Sequence, residues 1–110
     1  MTIETCMSMV DAMAPGPVAS AVKLRFLDEI EGRVRVELHG DAPDMVGVID
    51  AATPVTTVLC VPHPYDRLYW LYVAAMLAYT RGDAARYENT AALFNLAFLN
   101  YGKWLKRKGA

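Results

Sequence analysis

Few groups in this chain are able to do chemistry. Two histidines, His39 and His63, two cysteines, Cys6 and Cys60, and the carboxylate run Asp28, Glu29 and Glu31 are the places to look for a base, a nucleophile or a metal ligand. A nucleophile needs a base within hydrogen-bond reach, and a metal needs three or four donors at characteristic spacings. The sequence has no Gly-rich phosphate loop, no metal-ligand cluster and no nucleophile with an adjacent base. His39 precedes Gly40 and His63 lies between Pro62 and Pro64, positions of capping or surface histidines. Arg25, Arg33 and Arg35 are interleaved with Asp28, Glu29 and Glu31, which reads as a solvated helix face with i,i+4 pairs Arg25/Glu29, Glu29/Arg33 and Glu31/Arg35. The residues therefore predict no catalytic site, no cofactor and no metal.

The remaining chemical feature is the C-terminal run Lys103-Trp104-Leu105-Lys106-Arg107-Lys108. Four cations in six residues suit a phosphate backbone. They equally suit the negative end of a helix, which attracts basic side chains. Residues 1–55 carry 4 basic against 9 acidic side chains, a balance of −5, while residues 56–110 carry 7 against 3, a balance of +4. With a total of −1, a general nucleic-acid-binding surface is not supported. Head-to-tail contact between like subunits would bring the opposite charges together.

The elements that must position these groups are mostly helical. Ile3, Met7, Val10 and Ala14 recur at helical spacing over residues 3–13, until Pro15-Gly16-Pro17 stops the helix. Val18, Val22, Phe26, Ile30 and Val34 then mark a second helix ending at His39-Gly40, with Gly32 suggesting close packing against a neighbour. Residues 41–63 hold Pro43, Gly47, Pro54 and Pro62, and two β-branched runs, 46–49 and 56–61, which predict an extended arm or a short β-hairpin. A third helix follows over 64–80, with Asp66 in its first turn. Gly82-Asp83 turns the chain, with Asp83 placed to cap a fourth helix over 84–106. The fold expected is all-α in the main: about four helices in a small bundle, one domain over residues 1–110, with the arm or hairpin between helices 2 and 3.

Ten of the eleven aromatic residues lie between Tyr65 and Trp104, and Leu68 to Tyr79 is twelve residues without a charge or an amide. A helix apolar all round is either the centre of a bundle or a surface covered by other subunits. Counting Gly and leaving out Tyr, 61 of the 110 residues are apolar, about 55% against roughly 45–50% in ordinary soluble domains. This excess predicts subunit contacts through Tyr69, Trp70, Val73, Leu93, Leu96 and Trp104. Asn95 and Asn100, inside the fourth helix, face either such an interface or solvent. The apolar run from Leu68 is too short for a membrane span, the start lacks a signal-peptide pattern, and two cysteines without redox spacing fit a reducing compartment, so the expectation is a soluble protein made in the cytoplasm.

Four motifs together carry a resemblance: Lys23-Leu24-x-Phe26-Leu27-x-Glu29-Ile30-Glu31-Gly32-Arg33; Pro64-Tyr65-Asp66-x-Leu68-Tyr69-x-x-Tyr72; Gly82-Asp83-x-x-Arg86-Tyr87-x-Asn89; and Leu93-Phe94-Asn95-x-Ala97-Phe98-x-x-Tyr101-x-x-Trp104. The pattern resembles the small helical head–tail connector, or neck adaptor, proteins of tailed bacteriophages and prophages, and covers most of residues 17–106. Leu77-Ala78 stands where that pattern has a more polar pair. The resemblance implies a structural subunit of the virion neck, made in the bacterial host cytoplasm, that forms a ring (twelve-fold in this family) under the portal protein. Such a ring completes the DNA channel, contacts the passing DNA without sequence preference and docks a downstream neck or tail protein. By position it assigns Lys103, Lys106, Arg107 and Lys108 to portal or DNA contact. The competing expectation from the residues alone is a small helical adaptor or regulator, monomeric or dimeric, that binds one protein partner without catalysis.

Overall fold

Thr2 starts the first helix: its hydroxyl accepts the Thr5 N–H at 3.2 Å, satisfying one of the donors that a helix start leaves unpaired. In the computed structural model, which describes residues 1–109, this helix (α1) spans Ile3–Met13 and buries Ile3, Cys6 and Val10. The second helix (α2, Ser20–Arg33) widens into a π-turn over Val34–Leu38, where the His39 N–H reaches back five residues to the Val34 carbonyl at 3.0 Å. The third (α3) spans Arg67–Thr80 and the fourth (α4) Ala84–Gly109.

The bundle centre is α3. It packs on α4, α2 and α1, and Arg33 of α2 also reaches over the Phe94 and Phe98 rings of α4. Leu68, Leu71, Ala75 and Ala78 on one side of it are buried, and so are Tyr69, Val73 and Leu77, which helical spacing places on another. The chain's own helices thus cover both faces, and the helix that is apolar all round is the middle of the bundle rather than an uncovered surface. Leu77 and Ala78, apolar where the connector pattern is more polar, belong to this core. The turn that follows is a Schellman cap: Asp83 N–H donates to the Ala78 carbonyl at 3.0 Å and Gly82 N–H to Tyr79 at 3.1 Å. Gly82 supplies the left-handed residue this requires, at φ +72°. Asp83 then caps α4, its Oδ1 accepting the Arg86 N–H at 3.1 Å.

The buried stripe of α2 differs from the expected one. Leu27, Ile30, Glu31 and Val34 face the core, whereas Val22 is exposed and Phe26 half-buried. A strict i+4 series turns by about 40° at each step, so Val18 to Val34 winds around the helix and cannot meet one neighbour. The spacing i, i+3, i+4, i+7 from Leu27 stays on one side. Gly32 has open space where a side chain would start, so no close neighbour accounts for it.

No hairpin forms between α2 and α3. Residues 41–63 contain a short 3-10 turn at Pro43–Met45 and otherwise run irregularly, with one antiparallel bridge between Thr2 and Val58. The arm's polar groups pair with the helices instead. Ile3 and Glu4 at the start of α1 donate their N–H groups to the carbonyls of Thr57 and Val55, both at 3.0 Å, and Leu59 N–H donates to the Met1 carbonyl at 2.9 Å. A loop of this length is held because it supplies acceptors that α1 would otherwise lack.

Candidate functional site: a buried polar cluster and an uncovered helix face

Glu31 is a buried carboxylate, 6% exposed, and so leaves the solvated face expected for Asp28, Glu29 and Glu31; Glu29 is exposed and Asp28 half-buried. Tyr69 donates its hydroxyl to Glu31 Oε1 at 2.6 Å, and the Cys60 thiol donates to the same oxygen at 3.0 Å. Cys60 N–H donates to Oε2 at 3.0 Å, and Arg35 Nη2 lies 3.5 Å from that oxygen. Tyr69 Oη in turn accepts the Val61 N–H at 2.9 Å. Glu29 accepts the Tyr72 hydroxyl at 3.0 Å, and Asp28 accepts the Ile49 N–H at 2.8 Å. All three carboxylates of α2 therefore fasten the arm or α3 to it. Of the i,i+4 pairs expected, Glu31/Arg35 forms; Arg33 pairs instead with Glu37 at 2.6 Å. The signal for Glu31 was its register: it lies four residues after Leu27 and one after Ile30, on the buried side.

This cluster positions groups without activating them. Burial first, and then the hydrogen bond to Glu31, push the Cys60 thiol up from its ordinary 9.0 to about 12. Burial and the neighbouring Glu31 charge likewise raise Tyr69 far above the usual phenol range. A thiol held this way stays protonated at neutral pH, and the thiolate is the nucleophilic form. Cys6 is similar, pushed up to about 12 by burial within the α1 contact.

A second cluster stands at the C-terminal half of α4. His39 Nε2 and Tyr101 Oη are 2.7 Å apart. Tyr65 leans on both Tyr101 and Trp104, with ring centroids 5.6 and 5.4 Å away, and Lys108 Nζ sits 5.1 Å from the Trp104 centroid. Burial pushes the Tyr101 hydroxyl up to about 12. His39 thus works as a tie between the end of α2 and α4. His63 is exposed at the surface, its Nδ1 3.7 Å from Asp66. Asp66 lies at the start of α3 without a capping bond and faces the Met1 amino group at 3.4 Å.

The six residues expected at a subunit interface separate into three groups. Tyr69 and Val73 are fully buried within the chain and unavailable to a partner, because α3 is the middle of the bundle. Trp70 and Trp104 are half-buried and packed against the core, Trp104 through the aromatic stack. Leu93 and Leu96 are open to solvent at 56% and 51%, and Leu99, which the sequence reading passed over, joins them at 53%. Leu96, Leu99 and Lys103 recur at three- and four-residue spacing on the side of α4 opposite the buried Phe94, Ala97 and Tyr101, with Leu93 flanking them. Lys103, Lys106, Arg107 and Lys108 are exposed at the same end, and none pairs with a carboxylate among the described residues. At 26 residues α4 is about 39 Å long, close to the molecule's longest extent of 43 Å. It therefore carries the ridge along the molecule and ends in the cations.

Among the described residues there is no group of His, Cys, Asp and Glu side chains able to hold a metal, and no helix is long and apolar enough to cross a membrane. Comparison with known protein families, with curated proteins and with solved structures finds nothing that matches.

Proposed function

We propose that this chain is a structural assembly subunit of the head–tail connector kind found in tailed bacteriophages. It oligomerises into a ring under the portal protein, continues the DNA channel and offers a docking surface to the next neck or tail component. Its place is the virion neck, after synthesis in the bacterial host cytoplasm. The observation that carries this reading is the ridge of Leu93, Leu96 and Leu99, each more than half exposed on α4, the longest helix. Leu96 and Leu99 on the outer side of α4, with Leu93 flanking them, expose the kind of contiguous apolar surface that marks an interaction site. The sequence pattern of aromatics and turn residues supports the connector assignment, and the cationic end of α4 suits portal or DNA contact without base recognition.

The test is co-expression with the cognate portal protein, followed by sedimentation and electron microscopy of the purified particles. The proposal expects a ring seated on the portal. A chain that stays monomeric alone and fails to bind the portal would overturn it and favour a monomeric adaptor.

A further inference from the structure

Two uncovered faces of this molecule match each other in apolarity and oppose each other in charge. One is the α4 ridge, Leu93, Leu96 and Leu99, which continues into Lys103 and Lys106. The other is the groove between α2 and the arm, where Ala21 and Leu24 face Val48 and Ala51. Val48 is 70% exposed there, and Met45, earlier in the arm, is 79% exposed. Residues 41–63 carry Asp41, Asp44 and Asp50 and no lysine or arginine. Asp28 and Glu29 also line the groove, against the single cation Arg25.

We infer that the occupant of the α2–arm groove is the α4 ridge of a second copy of this chain, with Lys103 and Lys106 meeting the arm's aspartates. This rests on the assembly reading above and assigns its two contact surfaces. A parallel two-fold pairing of α4 on α4 would set Lys103, Lys106 and Arg107 of both copies side by side, and like charges across an interface are disfavoured; an antiparallel one centred on Leu96 would set Lys106 opposite Arg86 and leave the arm's aspartates unmatched. A ridge-on-groove contact instead joins different surfaces. The groove lies between α2 and the arm and the ridge on the outer side of α4, with no residue in common, so one copy can use both faces at once. Repetition of such a head-to-tail contact closes into a ring when the rotation allows it. The assignment also accounts for the opposite charge of the two halves of the chain. Arg107 and Lys108 remain for portal or DNA contact.

A charge exchange tests it. Asp44 and Val48 are exposed, and their side chains have no hydrogen-bond or ion-pair partner among the described residues; the same holds for Lys103 and Lys106. An arm variant, Asp44→Lys/Val48→Lys, and a helix variant, Lys103→Glu/Lys106→Glu, should each keep the fold but self-associate roughly tenfold or more weakly than the wild type in sedimentation equilibrium. Mixed in equal amounts, they present a complementary pair at both contacts, and association should return as an alternating assembly. An arm variant that assembles like the wild type, or a mixture that stays dissociated, overturns the arm-on-helix contact while leaving the assembly reading intact. A wild-type chain that remains monomeric at millimolar concentration overturns the self-contact, and the portal co-expression experiment then decides the function separately.

Discussion

The Tyr69 hydroxyl lies 2.6 Å from Glu31 Oε1 and joins the first turn of α3 to the buried side of α2. The same carboxylate takes the thiol and the N–H of Cys60, so one residue holds two helices and the arm. Removing it strands several donors away from water. Glu31→Ala should therefore cost about 2–4 kcal/mol, since each unsatisfied buried group carries a penalty of about 1–3 kcal/mol. Tyr69→Phe, which leaves Val61 N–H without its acceptor, should cost about 1–2 kcal/mol. Urea denaturation of the two single variants and the double variant gives the coupling directly. Additive losses would show that the two side chains act independently.

The Cys60 thiol should be slow to react. Its rise from 9.0 to about 12 leaves a thiolate fraction at neutral pH smaller by about 10³ than for an unperturbed thiol. Alkylation at pH 8 should be correspondingly slow in the folded protein and should accelerate in Glu31→Gln, which removes the charge that opposes the thiolate. Fast modification of the wild type under native conditions would contradict the geometry.

Stability should fall in alkali. Cys6 and Cys60 are raised from 9.0, and Tyr72 and Tyr101 from 10.0, each to about 12. A group with a raised folded pKa binds its proton more tightly in the native state. Its contribution is complete below the unfolded value and is lost as pH rises through the folded one. The free energy of unfolding should accordingly decline from about pH 9 towards pH 12, with buried Tyr69 acting in the same direction. Urea titrations at intervals across that window check the slope; a level profile would mean these groups are not buried as found.

Gly32 makes the opposite kind of prediction. Nothing stands within contact distance of a side chain added there. Gly32→Ala should then stabilise the isolated chain by about 0.5–1 kcal/mol, the ordinary difference in helix propensity. A loss of stability would mean that the backbone ahead of the π-turn at Val34–Leu38 needs the freedom of glycine.

What was legible in the sequence was what local chemistry decides. The helix stop at Pro15-Gly16-Pro17 and the Gly82-Asp83 turn into a capped α4 follow from neighbours in the chain, and they hold. The positions of Glu31 and Tyr69 depend on which elements meet. From α3 alone, apolar on every side, a bundle centre and a subunit surface look the same. The arm's β-branched runs suggested pairing with each other, but the unpaired donors of α1 were the nearer partners. Leu93 and Leu96 were legible as part of the apolar excess; Leu99, three residues beyond Leu96, follows the same spacing and carried the same signal.

The leucine ridge and the aromatic stack should separate under mutation. Leu93, Leu96 and Leu99 are exposed, and exchanging such residues for serine usually changes stability by less than about 0.5 kcal/mol. If copies of the chain cover them, Leu96→Ser/Leu99→Ser should leave the unfolding midpoint of the monomer in place while abolishing assembly. Trp104 should behave the other way, because its ring contacts Tyr65 and Tyr101 in the same chain. Trp104→Ala should cost about 1–3 kcal/mol of monomer stability, aromatic pairs adding about 0.5–1.5 kcal/mol each to simple burial. Paired measurements of urea midpoint and sedimentation on both variants decide the matter. Loss of assembly without loss of stability in the leucine variant, and the reverse order in the tryptophan variant, would locate the subunit contact on the outer face of α4. Equal losses in both would place the leucines in the fold rather than between copies.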